Sequence, residues 1–201
     1  MRRAVVALAA ALLLTGCGGG GDVALPGPAK IDVDTAQLRQ MKADAGVEDC
    51  APARGEHVDG GLPPVTLPCF GGGPDVDLGA LRGPMVVNLW ASTCGPCRRE
   101  MPILQDFHEE YGDRVQVIGI DYQDVQTEAA MDLVRQTGAT YPLLADPQSD
   151  LSGAAPFPVL RGLPFLALVD AEGRVAHQEF TIIDSRQQLV GLVNRHLGTG
   201  L

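Results

Sequence analysis

Positive charge is scarce in this chain of 201 residues: 15 Lys and Arg stand against 25 Asp and Glu, a formal net charge of −10 at pH 7. The basic residues form no stripe that could track a phosphate backbone, so nucleic acid is excluded as a partner. Histidine is rarer still, with four residues, His57, His108, His177 and His196, none at ligand spacing from another. A histidine-built metal centre is therefore not expected, and Met101 and Met131 read as core side chains rather than copper ligands. There is no internal repeat. A hydrophobic content of 45% over this length supplies one good core and little for a second.

The first residues, MRRAVVALAAALLLTG, combine two arginines with an apolar stretch too short for a bilayer span and then small residues. They read as a signal peptide over residues 1–16. The end of that stretch, Leu14-Thr15-Gly16-Cys17, resembles the lipobox of bacterial lipoproteins. The resemblance implies cleavage before Cys17, lipidation of Cys17, and a folded body held outside the cytoplasm on the cell membrane, since two or more acyl chains anchor firmly. Loss of Arg2 and Arg3 takes the formal net charge from −10 to −12, an acidity that keeps the domain soluble. Residues 17–30, rich in glycine and proline, read as a flexible tether. Residues 31–59 form an N-terminal extension in which IDVDTAQLRQMKADAG predicts a short helix. Asp34 is its expected cap, Leu38 and Met41 share a face, and Gly46 is the stop.

Residues 60–201 alternate turns, apolar runs and helical periodicity. PVTLPCF and DVDLGALRG flank a glycine-rich turn, and PMVVNLWAS reads as a strand buried on both faces. RREMPILQDFHEEYGDR follows with Met101, Leu104, Phe107, His108 and Tyr111 at helical spacing, and VQVIGIDY reads as the next strand. Together they predict a parallel pair with a right-handed crossover. TEAAMDLVRQTG predicts another helix ending at Gly138. YPLLAD, PFLALVD and VAHQEF read as strands, the last two joined by AEGR. DSRQQLVGLVNRHLG closes the chain as a helix, with Asp184 expected as cap and Gly198 as terminator. The class is mixed α/β.

Cys94-Gly-Pro-Cys97 lies between the buried strand and a helix start. A sulfur there meets unpaired backbone N–H groups and the positive end of the helix dipole, so thiolate is favoured at Cys94. Pro96 presets the first turn, and Arg98 and Arg99 add positive charge. Thiolate is the attacking species in disulfide exchange. Cys97, one turn on and more sheltered, is placed to resolve a mixed disulfide formed at Cys94. A two-residue loop closes too little chain for a structural staple, and a structural zinc site would want two more ligands at similar spacing.

WASTCGPCRREMP resembles the active-site segment of the thioredoxin superfamily, and more closely its extracytoplasmic, membrane-tethered TlpA/ResA-like branch. The resemblance runs from roughly residue 60 to 198 and implies a thioredoxin-like fold, a central mixed β-sheet flanked by helices. Trp90 stands four residues before Cys94, and Pro102 falls five after Cys97, where the family's helix kinks. Gly162-Leu163-Pro164 before a strand matches the family's cis-proline loop, which faces the thiols. It implies a substrate-binding group of Trp90, Gly162, Leu163 and Pro164, with a cis bond at Pro164. VDAEGRV at 169–175 is also typical of the branch. Asn88 occupies the position where cytosolic thioredoxins carry a buried aspartate. Glu100, three residues after Cys97 on the same helical face, matches a glutamate that helps set thiol acidity in the branch. An exposed first-turn glutamate is the alternative.

With Cys17 and the CGPC pair assigned, Cys50 and Cys69 remain. An exported protein rarely leaves two thiols unpaired, so a structural disulfide between them is expected, closing a loop of roughly 20 residues worth about 3 kcal/mol. A second redox relay is the other reading of that pair.

The sequence thus points to a protein thiol-disulfide oxidoreductase needing no metal or organic cofactor. Cys94 exchanges, Cys97 resolves, Pro164 docks substrate backbone and Glu100 assists the proton. The expected partners are exported protein thiols and disulfides, a membrane thiol reductase as electron donor, and the membrane through the lipid anchor. Family resemblance favours reduction of particular extracytoplasmic disulfides, such as those of apocytochrome c or copper-site cysteines. A disulfide-forming oxidase is the opposite direction of the same chemistry. A Sco-type copper chaperone shares the fold but uses a three-residue gap between its cysteines, and the peroxiredoxin segment Pro-x-x-x-Thr-x-x-Cys is absent.

Overall fold

The computed structural model describes residues 30–53 and 55–201. The expected signal peptide, most of the tether and the lipidation site Cys17 lie outside the described residues. Residues 31–201 form one compact unit, so the N-terminal extension expected over 31–59 packs as part of the same body as the thioredoxin-like region.

The elements run α1 (Ala36–Ala45), β1 (Thr66–Leu67), β2 (Val76–Asp77), a 3-10 turn (Leu78–Ala80), β3 (Met85–Trp90), α2 (Gly95–Tyr111), β4 (Gln116–Tyr122), α3 (Thr127–Thr137), β5 (Leu143–Asp146), β6 (Phe165–Val169), β7 (Val175–Glu179) and α4 (Arg186–Leu197). The main sheet has the order β5-β4-β3-β6-β7. β3, β4 and β5 are mutually parallel, while β6 runs antiparallel to β3 and β7 antiparallel to β6. β3 is central, and all six of its residues are buried, as an unbroken apolar run requires.

Alternation along the strands sorts the core into two layers. Val86, Trp90, Val117, Leu143, Leu166 and Leu168 pack with residues of all four helices, among them Leu38, Leu104, Met131 and Leu189. Val87, Leu89, Ile118, Ile120, Phe165 and Ala167 face the other way. Among the described residues that second face carries no α-helix; Leu67, Val76, Leu78, Leu151, Phe157 and Leu160 cover it, from the β1–β2 ribbon, the 3-10 turn and the segment before β6.

Two helix caps fall one residue later than the sequence suggests. Thr35, not Asp34, caps α1, its Oγ1 accepting from Leu38 N at 3.1 Å. Asp34 is instead held by the Arg39 guanidinium at 2.7 and 2.9 Å, a pairing that takes its carboxyl away from the helix end and holds its pKa below the usual carboxylate range. Ser185, not Asp184, caps α4 by accepting from Gln188 N, and Gln188 Oε1 reaches back to accept from Asp184 N. At the other ends, Gly46, Gly138 and Gly198 stop α1, α3 and α4 at φ of 71°, 70° and 65°, the left-handed conformation that costs a residue without Cβ nothing.

Candidate active site

Parallel strands bring their carboxyl ends to one edge of a sheet, and an antiparallel neighbour brings its start there. The loop after β3, the loop after β4, the segment entering β6 and the one leaving β7 therefore share an edge. Cys94 lies on the first of these as the N-cap of α2, half-buried. Its Sγ accepts a hydrogen bond from Cys97 N at 3.2 Å, so the stabilisation expected from the helix start is present as a named donor. Pro96 sits in the first turn and Pro102 inside the helix. Cys97 is fully buried and bonded to Cys94 in a disulfide. Cys94 is thus the more accessible sulfur of the pair, and Cys97 the sheltered one.

Arg98 and Arg99 point elsewhere than the thiol. Arg98 bonds Gln136 of α3 at 3.4 Å, and Arg99 donates to Gly95 O at 3.3 Å.

Beneath the pair, Glu100 is fully buried, so the exposed alternative does not hold. Its Oε1 accepts from Asn88 Nδ2 at 2.8 Å and its Oε2 from Ile183 N at 3.2 Å. Burial pushes its pKa up to about 7, against the two hydrogen bonds, and Asp184 adds to the rise. Asn88 is therefore the partner of a carboxyl on the helix above it, and its own Oδ1 has no protein partner. That Asn88–Glu100 pair, and the amide of Ile183 that completes it, escape sequence inspection: the partners are 12 and 83 residues apart.

The Leu163–Pro164 peptide is cis, as the resemblance implied. Gly162 is exposed, Leu163 half-buried and Pro164 buried. A cleft of about 490 Å³ joins Cys94, Gly95 and Pro96 to Gln123 and Leu160–Leu163. On the other side of the same loop a groove of about 740 Å³ runs between Arg161–Pro164 and Phe180–Ile182. Trp90, expected among the substrate contacts, is fully buried. Its ring belongs to the core under α2, so it offers no surface to a docking chain; it supports the site from below.

Cys50 and Cys69 form a disulfide with Cα atoms 5.9 Å apart, tying the segment after α1 to the residues after β1. His177 and His196, without ligand spacing in the sequence, are brought into a stack with ring centroids 3.9 Å apart. Among the described residues no group of three or more His, Cys, Asp or Glu side chains is placed to hold a metal ion.

A central mixed sheet, a CGPC pair at a helix start and a cis-proline loop across a cleft from it define a thioredoxin-fold thiol-disulfide oxidoreductase. Residues 58–186 match the Redoxin family model, and the chain belongs to that family. It is 28% identical over 127 residues to the thiol-disulfide oxidoreductase ResA of Bacillus anthracis, covering 61% of this chain and 69% of that one. It is also 33% identical over 117 residues to the thiol:disulfide interchange protein DsbE of Allochromatium vinosum, covering 56% and 61%. Among solved structures, a putative DsbE from Chlorobium tepidum superposes with a TM-score of 0.55 at 25% identity, over 68% of this chain and 95% of that one.

Proposed function

We propose that this protein acts outside the cytoplasm, anchored to the cell membrane through a lipid on Cys17, as a reductase of disulfides in specific exported proteins. Cys94 attacks the substrate disulfide, forming a mixed disulfide, and the electron pair leaves on the substrate's other sulfur. Cys97 then attacks Cys94 and releases the reduced substrate. Glu100 takes the Cys97 proton as that thiol becomes nucleophilic. The loop Gly162-Leu163-Pro164 holds the substrate backbone beside Cys94.

The observation that carries this reading is the division of the pair: Cys94 half-buried with the Cys97 amide donating to its sulfur, Cys97 wholly buried behind it. The Cys50–Cys69 bridge fits an oxidising compartment. Among the described residues no helix is long and apolar enough to cross a membrane; the proposed attachment rests on the Leu14-Thr15-Gly16-Cys17 sequence. The Gly-Pro pair between the cysteines favours reduction, and an oxidising compartment then requires a membrane thiol reductase to supply electrons. Exported substrates such as apocytochrome c fit that supply.

The reduction potential of Cys94–Cys97 tests the direction. A value near about −270 mV supports the reductase, and one near about −120 mV makes the protein an oxidant. Cys97→Ser in the full chain is expected to accumulate mixed disulfides through Cys94 with exported proteins. If no adduct forms at Cys94, the assignment of the attacking sulfur fails.

A further inference from the structure

The Cys50–Cys69 bridge is built with two unlike ends. Lys42 of α1 is only 5% exposed, and its Nζ lies 3.4 Å from Cys69 Sγ. The same nitrogen donates to Gly72 O at 2.9 Å and pairs with Asp49 at 3.2 Å, whose side chain is 93% exposed. Cys50 Sγ instead lies 3.2 Å from Leu143 O. An ammonium beside a sulfur favours thiolate, whereas a carbonyl oxygen can accept only from the protonated thiol. Glu48 and His108, paired with each other at 2.9 Å, stand in the cavity beside Cys50.

Access is unequal too. A cavity of about 280 Å³ has Cys50, Glu48, Asp49, His108 and Leu144 among its walls, and Cys69 is not one of them. A thiol entering there meets Cys50 first.

We propose that Cys50–Cys69 is a second thiol-exchange site with a fixed direction, in which a small thiol entering through this cavity bonds to Cys50 and Cys69 leaves as a thiolate beside Lys42. The incoming thiolate supplies the electron pair of the new bond to Cys50. The Cys50–Cys69 bond breaks with its pair on Cys69. A second thiolate attacks the small sulfur of the mixed disulfide, releasing a small disulfide and Cys50, which takes a proton from water and directs it at Leu143 O. Two small thiols thus become one disulfide, the bridge becomes one thiol and one thiolate, and one proton passes to water. Reoxidation runs the same path backwards: Cys50 as thiolate attacks a small disulfide and expels one small thiolate, and Cys69 then attacks Cys50 of the mixed disulfide and expels the other. Opening frees the segment that carries Cys50 from its tie to the residues beside β5, where Cys69 bridges Leu144. With both cysteines under 5% exposed, this pair exchanges after Cys94–Cys97.

The test uses the oxidised full chain and cysteamine, small enough for the cavity and opposite in charge to Glu48 and Asp49. Limiting cysteamine is added, free thiols are blocked, and tryptic peptides are mapped; cleavage at Arg54 separates Cys50 from Cys69. The adduct is expected on Cys50 over Cys69 by about tenfold or more, the unequal access adding to the several-fold preference that about one or more pH units in leaving-group acidity gives. Lys42→Met is expected to lower the ratio several-fold, to what the unequal access alone leaves, and Lys42→Arg to restore it. In the fully reduced chain, alkylation of Cys69 should rise at least about one pH unit below that of Cys50, a measurement that needs no variant. An adduct mainly on Cys69, an even ratio in the unaltered chain, a ratio unmoved by Lys42→Met, or coincident alkylation profiles would each overturn the proposal. So would a bridge still closed in a large excess of cysteamine after Cys94–Cys97 is wholly reduced. Reactivity at Cys94 is read on a separate peptide, so the two sites fail independently.

Discussion

A carboxyl enclosed as Glu100 is, with two hydrogen bonds to the protein, changes charge near the pH at which thiols are exchanged. Free in an unfolded chain it would titrate near 4.5; in the fold it titrates at about 7. The protonated form is favoured by folding, so its contribution is fully present below about 4.5 and is lost as pH rises through 7, to a limit of about 3 kcal/mol. Glu100→Gln removes the titration, and both contacts survive once the Asn88 amide turns over, so that Gln Oε1 accepts from Ile183 N and Gln Nε2 donates to Asn88 Oδ1. Thermal unfolding of the two proteins from pH 4 to pH 8 is expected to show the Gln variant gaining on the parent by several degrees across that window. A constant difference would mean that Glu100 is not titrating there. The same variant should slow resolution by Cys97 by about tenfold to a hundredfold at pH 7 and flatten its pH profile, while Cys94 alkylation changes little. At this scale the sequence was legible where chemistry is local: CGPC announces itself by spacing, and Cys50 with Cys69 by count. Lys42 was not, because a lysine on a helix with a modest apolar face reads as solvated until the Gly71–Gly73 turn is seen folded over it.

Elements were legible where the pattern was long and illegible where proline or one polar residue decides. PMVVNLWAS gives β3 without ambiguity, since six consecutive buried positions admit one kind of strand. PVTLPCF gives only the two residues of β1, because Pro63, Pro64 and Pro68 withhold the amide donors a longer ladder would need. The caps of α1 and α4 could not be settled by composition: Asp34-Thr35 and Asp184-Ser185 each offer two good capping residues, and side chains from the helix's own first turn or two decide. The Arg39 guanidinium claims Asp34, leaving Thr35 to cap. Ser185→Ala is accordingly expected to cost about 1 kcal/mol in denaturant unfolding, and Asp184→Ala distinctly less. Equal losses would mean that the two residues share the cap. Because Ile183 N holds Glu100 from the same segment, Ser185→Ala should also shift the pH profile of Cys97 slightly, whereas a cap lost from α1 should not.

On the whole molecule, the four large apolar side chains exposed among the described residues, Val125, Val159, Phe180 and Ile182, all lie in segments at the edge of the sheet that carries Cys94. Phe180 and Ile182 line the groove beside the cis-proline loop. Of the four, Phe180 and Ile182 share one groove, and it is there that we expect a protein substrate to dock. An extended segment of an unfolded or partly folded protein would lay its backbone along Gly162-Leu163 and an apolar side chain against Phe180. Burying one such side chain is worth about 1.5–3 kcal/mol, or roughly tenfold to a hundredfold in binding. Phe180→Ser combined with Ile182→Ser is therefore expected to raise KM for a protein disulfide by about tenfold or more, with kcat little changed. Reduction of a small disulfide, which fills the cleft at Cys94 but not the groove, should proceed at the parent rate. Equal losses on both substrates would place the damage at the thiols instead, and no loss on either would mean that substrates dock away from β7.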